Sequence, residues 1–161
     1  MTIKIGINGL GRIGRMIIRS LIENKNKKIE IKHINSRSSA EVVSNLLKYD
    51  SIHGKFNCKI KHGSNFLNIN GKKITFSQHS NLNEIKWKNF GVDYVLECTG
   101  KFNSKDKLIH HVKNGAKKVI VSAPCKNADK TIVYGVNHKS INKNDVIISA
   151  ASCTTNCLAP L

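Results

Sequence analysis

Ile3-Lys4-Ile5-Gly6-Ile7-Asn8-Gly9-Leu10-Gly11-Arg12-Ile13-Gly14 stands near the start of the chain and sets its fold. Ile3, Ile5 and Ile7 alternate with polar or small residues, the period-two pattern of a strand. A G-x-G-x-x-G run follows at once, and residues 15–23 then carry Met16, Ile17 and Leu21 at helical spacing. Glycines punctuate turns everywhere, but between a strand and a helix this run is the dinucleotide-binding fingerprint. Gly9 permits the tight turn, Gly11 lets the backbone approach a pyrophosphate, and Gly14 allows the helix to pack closely on the strand. The pyrophosphate then rests on the helix N-terminus, where unpaired amides point at it.

Residues 29–34 form a second alternating strand, followed by Asn35-Ser36-Arg37-Ser38. The fingerprint expects an acidic residue here, about twenty residues past the glycines, to hold the ribose 2′-hydroxyl. A serine and an arginine in its place reverse the preference, with Arg37 on a 2′-phosphate and Ser36 beside it. This predicts NADP in preference to strict NAD. Ser38 and Glu41 also fit a capping box for the next helix, residues 40–47, which leaves Ser36 and Arg37 free.

Farther along, alternating segments at 66–69 and 73–76 flank Asn70-Gly71, the strongest short hairpin signal. Trp87 and Phe90 are expected beneath that hairpin. The β–α alternation then resumes: a strand over 91–98, a helix over 104–114 stopped by Gly115, and a strand over 118–121. A short strand is expected over 131–134 and a final one over 146–148. The whole predicts an α/β fold with a mostly parallel sheet interrupted by an antiparallel hairpin. In such sheets ligands bind outside the carboxyl ends of the strands. Thr99-Gly100 and Ser122-Ala123 are small and polar at two of those ends, and either pair is equally ordinary turn chemistry.

The last strand breaks into Ala150-Ala151-Ser152-Cys153-Thr154-Thr155-Asn156-Cys157. A helix starting at Cys153 places its thiol against first-turn amides and the positive end of the helix dipole, which favour the nucleophilic thiolate. A small buried hydrophobe is the competing reading of Cys153. Cys157, four residues on, reads as a core residue, and Cys58, Cys98 and Cys125 as structural. Five cysteines with no C-x-x-C pair argue against a disulfide framework or a zinc site, and so for a reducing cytoplasm and no metal.

The charge is lopsided, 27 Lys+Arg against 10 Asp+Glu, or +17. Such a balance suits anionic partners. The lysines are scattered singly or in pairs, and Trp87 is the one indole available for stacking, so nucleic acid is not the expected partner; phosphate-bearing ligands are. No signal-peptide pattern precedes the first strand, and no apolar run reaches the length of a membrane span.

The stretches Ile7-Asn8-Gly9-Leu10-Gly11-Arg12-Ile13-Gly14-Arg15, Tyr49-Asp50-Ser51 with His53-Gly54, and Ala151-Ser152-Cys153-Thr154-Thr155-Asn156-Cys157 resemble, in order, those of glyceraldehyde-3-phosphate dehydrogenases. The resemblance runs end to end. It implies a Rossmann-type doubly wound domain over residues 1–152, with Cys153 opening a catalytic domain over 153–161. It further implies oxidative phosphorylation of a phosphorylated aldehyde with inorganic phosphate. Cys153 would attack the aldehyde, pass a hydride to the nicotinamide from the hemithioacetal, and hold the thioester that phosphate cleaves. Ser152 and Thr154 match substrate and phosphate contacts, Arg12 and Ile13 the pyrophosphate loop, and Ser122 a contact near the nicotinamide ribose.

Three departures matter. Ser36 replaces the family's ribose-binding Asp, and Ser80-Asn81-Leu82 replaces a common Arg-Asp-Pro run, which leaves Ser80 on the adenosine side. The family's base is a histidine beyond Leu161. His53 reads as structural, His110 and His111 as solvated, and His33, His62, His79 and His138 as lying near strand ends or loops. Erythrose-4-phosphate dehydrogenase fits the same motifs. The chain by itself would be a catalytically incomplete nucleotide-binding module, with the family's homotetramer expected only at full length.

Overall fold

The computed structural model describes residues 2–161. The chain runs through β1 (Ile3–Asn8), α1 (Arg12–Glu23), β2 (Ile29–Asn35), α2 (Ala40–Lys48), β3 (Tyr49–Asp50), β4 (Gly54–Lys55), β5 (Ile60–Gly63), β6 (Phe66–Ile69) and β7 (Lys72–Ser77). Two 3-10 turns, Leu82–Glu84 and Trp87–Phe90, lead to β8 (Tyr94–Glu97), α3 (Lys105–Lys113), β9 (Lys118–Val121), β10 (Lys130–Thr131), β11 (Ile147–Ser149) and α4 (Cys153–Leu158). Nine strands form one sheet in the order β10-β11-β9-β8-β1-β2-β7-β6-β5, and β3 and β4 form a separate ribbon. Every pairing from β10 to β7 is parallel, and β7-β6-β5 is antiparallel. The expected doubly wound sheet with its hairpin insertion is what the chain forms, and Asn70-Gly71 turns the hairpin with both residues at positive φ.

The winding reverses at β1. After β1 the chain builds outward through β2 and β7, then crosses back to β8 on the other side of β1. Loops leaving the carboxyl ends of β1 and β8 therefore diverge and leave a crevice between them.

Alternation along β1 divides the core between the two faces. Ile5 and Ile7 join Ile18 of α1 and Val43 and Leu47 of α2 in one buried cluster. Gly6 points the other way, where a Cβ would lie 2.5 Å from the Trp87 ring. Trp87 belongs to the second cluster, with Val95, Leu108, Val119 and Ile147. It thus packs under β1 and α3, away from the hairpin; the Phe90 ring stacks on His33 at 3.6 Å.

Several boundaries differ from the sequence pattern. Helix α1 begins at Arg12, three residues early, because Gly11 takes the N-cap and its carbonyl accepts from the Arg15 amide. Ser39, and not Ser38, caps α2, accepting from the Val42 amide; Glu41 then falls one position short of the box. Strand β10 keeps only Lys130–Thr131 in its ladder, since the chain turns away through Gly135 at φ +94. The β3–β4 ribbon carries no pattern longer than two residues a side. Tertiary contacts hold it: Arg12 pairs with Asp50 at 3.0 Å, and Arg19 donates to the His53 and Gly54 carbonyls. Amides of His53 and Ile52, and then Arg12, hold the Asp50 carboxyl well below the usual carboxylate range.

Candidate active site at the sheet switch point

A cleft of about 370 Å³ opens where the winding reverses, lined by the loops after β1, β2, β7 and β8. Gly9, Gly11, Ser36, Arg37, Ser80 and Thr99 all line it, so one cleft gathers most of the proposed nucleotide contacts. Gly9 takes φ +91, and a Cβ there would meet Thr99 at 2.8 Å. Gly11 faces open space, with nothing within 4 Å of the Cβ it lacks. Gly14 lies buried beneath the loop, where a Cβ would fall 2.2 Å from the Gly9 carbonyl oxygen.

The remaining expected residues lie elsewhere. Arg12 turns its guanidinium to Asp50, and Ile13 is exposed on the first turn of α1. Ser122 donates both its amide and its hydroxyl to the Glu97 carbonyl, at 3.0 and 3.3 Å.

Charge in the cleft has one sign. Among the described residues Arg15, Arg37 and Lys101 line it, and no Asp or Glu does. Among the described residues the Arg37 guanidinium pairs with no carboxylate. Cationic side chains of this kind suit phosphate oxygens.

Beneath the cleft runs a buried chain of hydrogen bonds that the sequence did not announce. Trp87 Nε1 donates to His111 Nδ1 at 2.9 Å, and His111 Nε2 lies 2.9 Å from Glu97 Oε2. Asn8 Nδ2 donates to Glu97 at 2.6 Å, and Asn35 Nδ2 donates to Asn8 at 2.8 Å. Ser77 Oγ donates to Asn35, and His33 bridges Ser77 and Thr75 with its two ring nitrogens. His111 and His33 are therefore core residues, 0% and 1% exposed, and not the solvated or loop-side histidines the pattern suggested.

Burial, reinforced by neighbouring His79, pushes the His33 imidazole down to about 4. In the unfolded chain the ring takes a proton near pH 6.5, which the folded ring refuses. Its stabilising contribution is thus present above pH 6.5 and is lost as pH falls toward 4, by about 3 kcal/mol in all. Urea unfolding at pH 7 and pH 4.5 should show this loss in the parent, and His33→Gln should lack its share of the slope.

The second half of the site forms at the end of β11. Ala151, buried at φ +60, makes a left-handed turn between strand and helix. Ser152 caps α4, accepting from the Thr155 amide at 2.9 Å. Asn156 Nδ2 reaches back to the carbonyls of Ala150 and Ser152, at 2.7 and 2.8 Å, and locks the turn. Cys153 is held exposed on the first turn, with Thr154 Oγ1, at 4.0 Å, in contact with its sulfur. Non-glycine residues in left-handed backbone cluster at such functional turns. Ser152 and Thr155 also line an open groove beside Lys107 and Lys126. Cys157 is exposed, like the rest of α4, in which no residue is buried, and is not the core residue its spacing suggested. Cys98 is buried at the cleft floor, and burial pushes its thiol up to about 11.

Comparison with known proteins agrees with this geometry. Residues 3–105 match the family described as glyceraldehyde 3-phosphate dehydrogenase, NAD binding domain. The glyceraldehyde-3-phosphate dehydrogenase of Cereibacter sphaeroides is 45% identical over 161 residues, covering 100% of this chain and 48% of that protein. Glyceraldehyde-3-phosphate dehydrogenase 2 of Bacillus subtilis (strain 168) is 46% identical, covering 100% of the chain and 47% of the relative. That of Thermotoga maritima is 43% identical over 158 residues, covering 98% and 47%. The chain spans about half the length of the curated relatives it matches.

Proposed function

The chain belongs to the glyceraldehyde-3-phosphate dehydrogenase family, and from that premise we propose that it supplies the dinucleotide site and the nucleophile of a phosphorylating aldehyde dehydrogenase acting on glyceraldehyde 3-phosphate. The observation that carries this is the pairing of two features on the carboxyl edge of one sheet. A cationic cleft lies at the switch point, and an exposed Cys153 lies on a locked turn after β11.

Residues 1–152 form the dinucleotide-binding domain in this reading, and Cys153 opens the catalytic one. The cleft fits a nicotinamide dinucleotide: Gly11 leaves room for backbone approach, and Arg15, Arg37 and Lys101 suit phosphates. Bound there, the dinucleotide supplies the hydride acceptor. Cys153 adds to the aldehyde carbon to give a hemithioacetal, and loss of its hydride together with its hydroxyl proton, the latter to a base, leaves a thioester on the same sulfur. Inorganic phosphate then cleaves the thioester, releasing an acyl phosphate and the free thiol. Ser152 and Thr154 flank the sulfur and suit substrate and phosphate oxygens, while Arg12, Ile13 and Gly14 shape the pyrophosphate loop. Ser122 stands on the nicotinamide side and Ser80 on the adenosine side. Among the described residues no histidine bonds to Cys153, and in this reading the base is a histidine of the longer protein. A cytoplasmic homotetramer of the longer protein accompanies this reading. Phosphate- and dinucleotide-dependent oxidation of glyceraldehyde 3-phosphate by the full-length protein tests it; absence of that activity overturns it.

The cofactor preferred is NADP. Ser36 and Arg37 line the cleft where a carboxylate would repel a 2′-phosphate, and the Arg37 guanidinium is unengaged among the described residues. Arg37→Ala should weaken NADP binding by about 10- to 100-fold and leave NAD within about twofold, as loss of a charged hydrogen bond implies. Calorimetric titration of both dinucleotides measures this. A parent chain that binds NAD far more tightly than NADP would refute the assignment.

A further inference from the structure

We propose that Glu97 is a positioning residue of the dinucleotide site, fixing the loop after β1 against the loop after β8. The inference rests on the dinucleotide reading above. Glu97 is 0% exposed and does not line the cleft, so it can act on a ligand only through other residues. Its two oxygens divide between the cleft walls. Oε1 accepts from the Thr99 amide at 2.8 Å and the Thr99 hydroxyl at 2.5 Å. Oε2 accepts from Asn8 Nδ2 at 2.6 Å, one residue before Gly9, and faces His111 Nε2 at 2.9 Å.

All four partners act as donors. Thr99 Oγ1 in turn accepts from the Lys101 amide at 3.1 Å, so its own proton is free for Glu97. Trp87 Nε1–H can only donate; His111 Nδ1 must accept from it, which leaves the proton on Nε2 for Glu97. An acceptor-only carboxylate satisfies this set, and no amide can. The Asn8 side chain carries the restraint onward, since its Oδ1 accepts from Asn35 next to Ser36. Three walls of the cleft are thereby referred to one buried group.

Glutamine at position 97 keeps the size of the side chain and breaks the pattern. Either orientation of its amide aims an NH2 at Thr99 or at Asn8 and His111, donor against donor. Glu97→Gln should raise the Kd for NAD and NADP by about tenfold or more, measured on folded protein well below its Tm. Trp87 does not line the cleft, and Trp87→Phe removes the donor that sets the His111 tautomer; it should raise Kd by about threefold. Combining it with Glu97→Gln should add less than the product of the two effects.

A merely structural Glu97 would lower Tm and leave Kd at the parent value, which would overturn the proposal. If Glu97→Gln does not fold, an unchanged Kd in Trp87→Phe overturns it instead. A parent that binds neither NAD nor NADP refutes the functional reading itself, a different result from a parent that binds and a variant that binds equally.

Discussion

Gly14→Ala is expected to destabilise the fold by about 3 kcal/mol and weaken dinucleotide binding by about 100-fold. The added methyl would sit 2.2 Å from the Gly9 carbonyl oxygen and 3.2 Å from the Gly9 carbonyl carbon. Neither is the free end of a side chain. Gly9 cannot retreat, because it packs on Thr99 and its amide donates to the Asn35 carbonyl at 2.8 Å. Helix α1 must therefore back away from the loop, and the cleft floor moves with it. Thermal melts should register a drop of roughly 6–12 °C for a domain of this size. Gly11→Ala provides the contrast. Its φ of −65 suits any residue, and no atom lies within 4 Å of the new methyl. Tm should stay near the parent value while dinucleotide binding falls by about 100-fold, because the methyl occupies the line of approach of the pyrophosphate. Equal destabilisation by both substitutions would contradict this division of labour between the two glycines.

Cys153→Ser in the full-length protein should lower aldehyde oxidation by roughly 10⁴-fold or more while leaving NADP affinity unchanged. A hydroxyl in the same place is a far poorer nucleophile at neutral pH, and the thioester it must replace is also the better acyl donor to phosphate. The measurement is phosphate-dependent dinucleotide reduction beside a binding titration of the same preparation. Exposure gives a second readout in the 161-residue chain itself. Iodoacetamide at pH 7.5 should label Cys153 and Cys157, both exposed, and spare Cys98, buried with its thiol pushed up to about 11. A Cys153→Ser variant with parental activity would sink the mechanism; loss of NADP binding would instead place Cys153 in the nucleotide site.

What could be read from the residues alone was local or periodic. The β1–glycine–α1 unit, the hairpin at Asn70-Gly71 and the strand-to-helix break at Cys153 each lie within a short window, where spacing and turn chemistry decide the outcome. The buried network was not legible, because its members are separated by long stretches of chain: Asn8 and Glu97 by 89 residues, Trp87 and His111 by 24. Adjacent histidines at 110 and 111 on a polar helix look solvated until the fold turns one of them inward onto Trp87 and Glu97. The ribbon at Tyr49–Asp50 has the same origin, since Arg12 and Arg19 on a distant helix help to hold it. Asn156 was visible in the cysteine motif, but its work on the Ala150 and Ser152 carbonyls depends on the left-handed turn at Ala151, which no residue there requires.

The way the nine-stranded sheet ends on each side bears on how copies of the chain behave when crowded. Exposed strand edges are templates for aggregation, because their free backbone groups can recruit another molecule's strand. One end of this sheet, β10, is two residues long. The other, β5, is four residues long and carries exposed Lys61 and His62. With a net charge of +17 behind them, two such edges repel before they can align. High salt, which screens that repulsion, is the condition under which self-association through the sheet should first be seen.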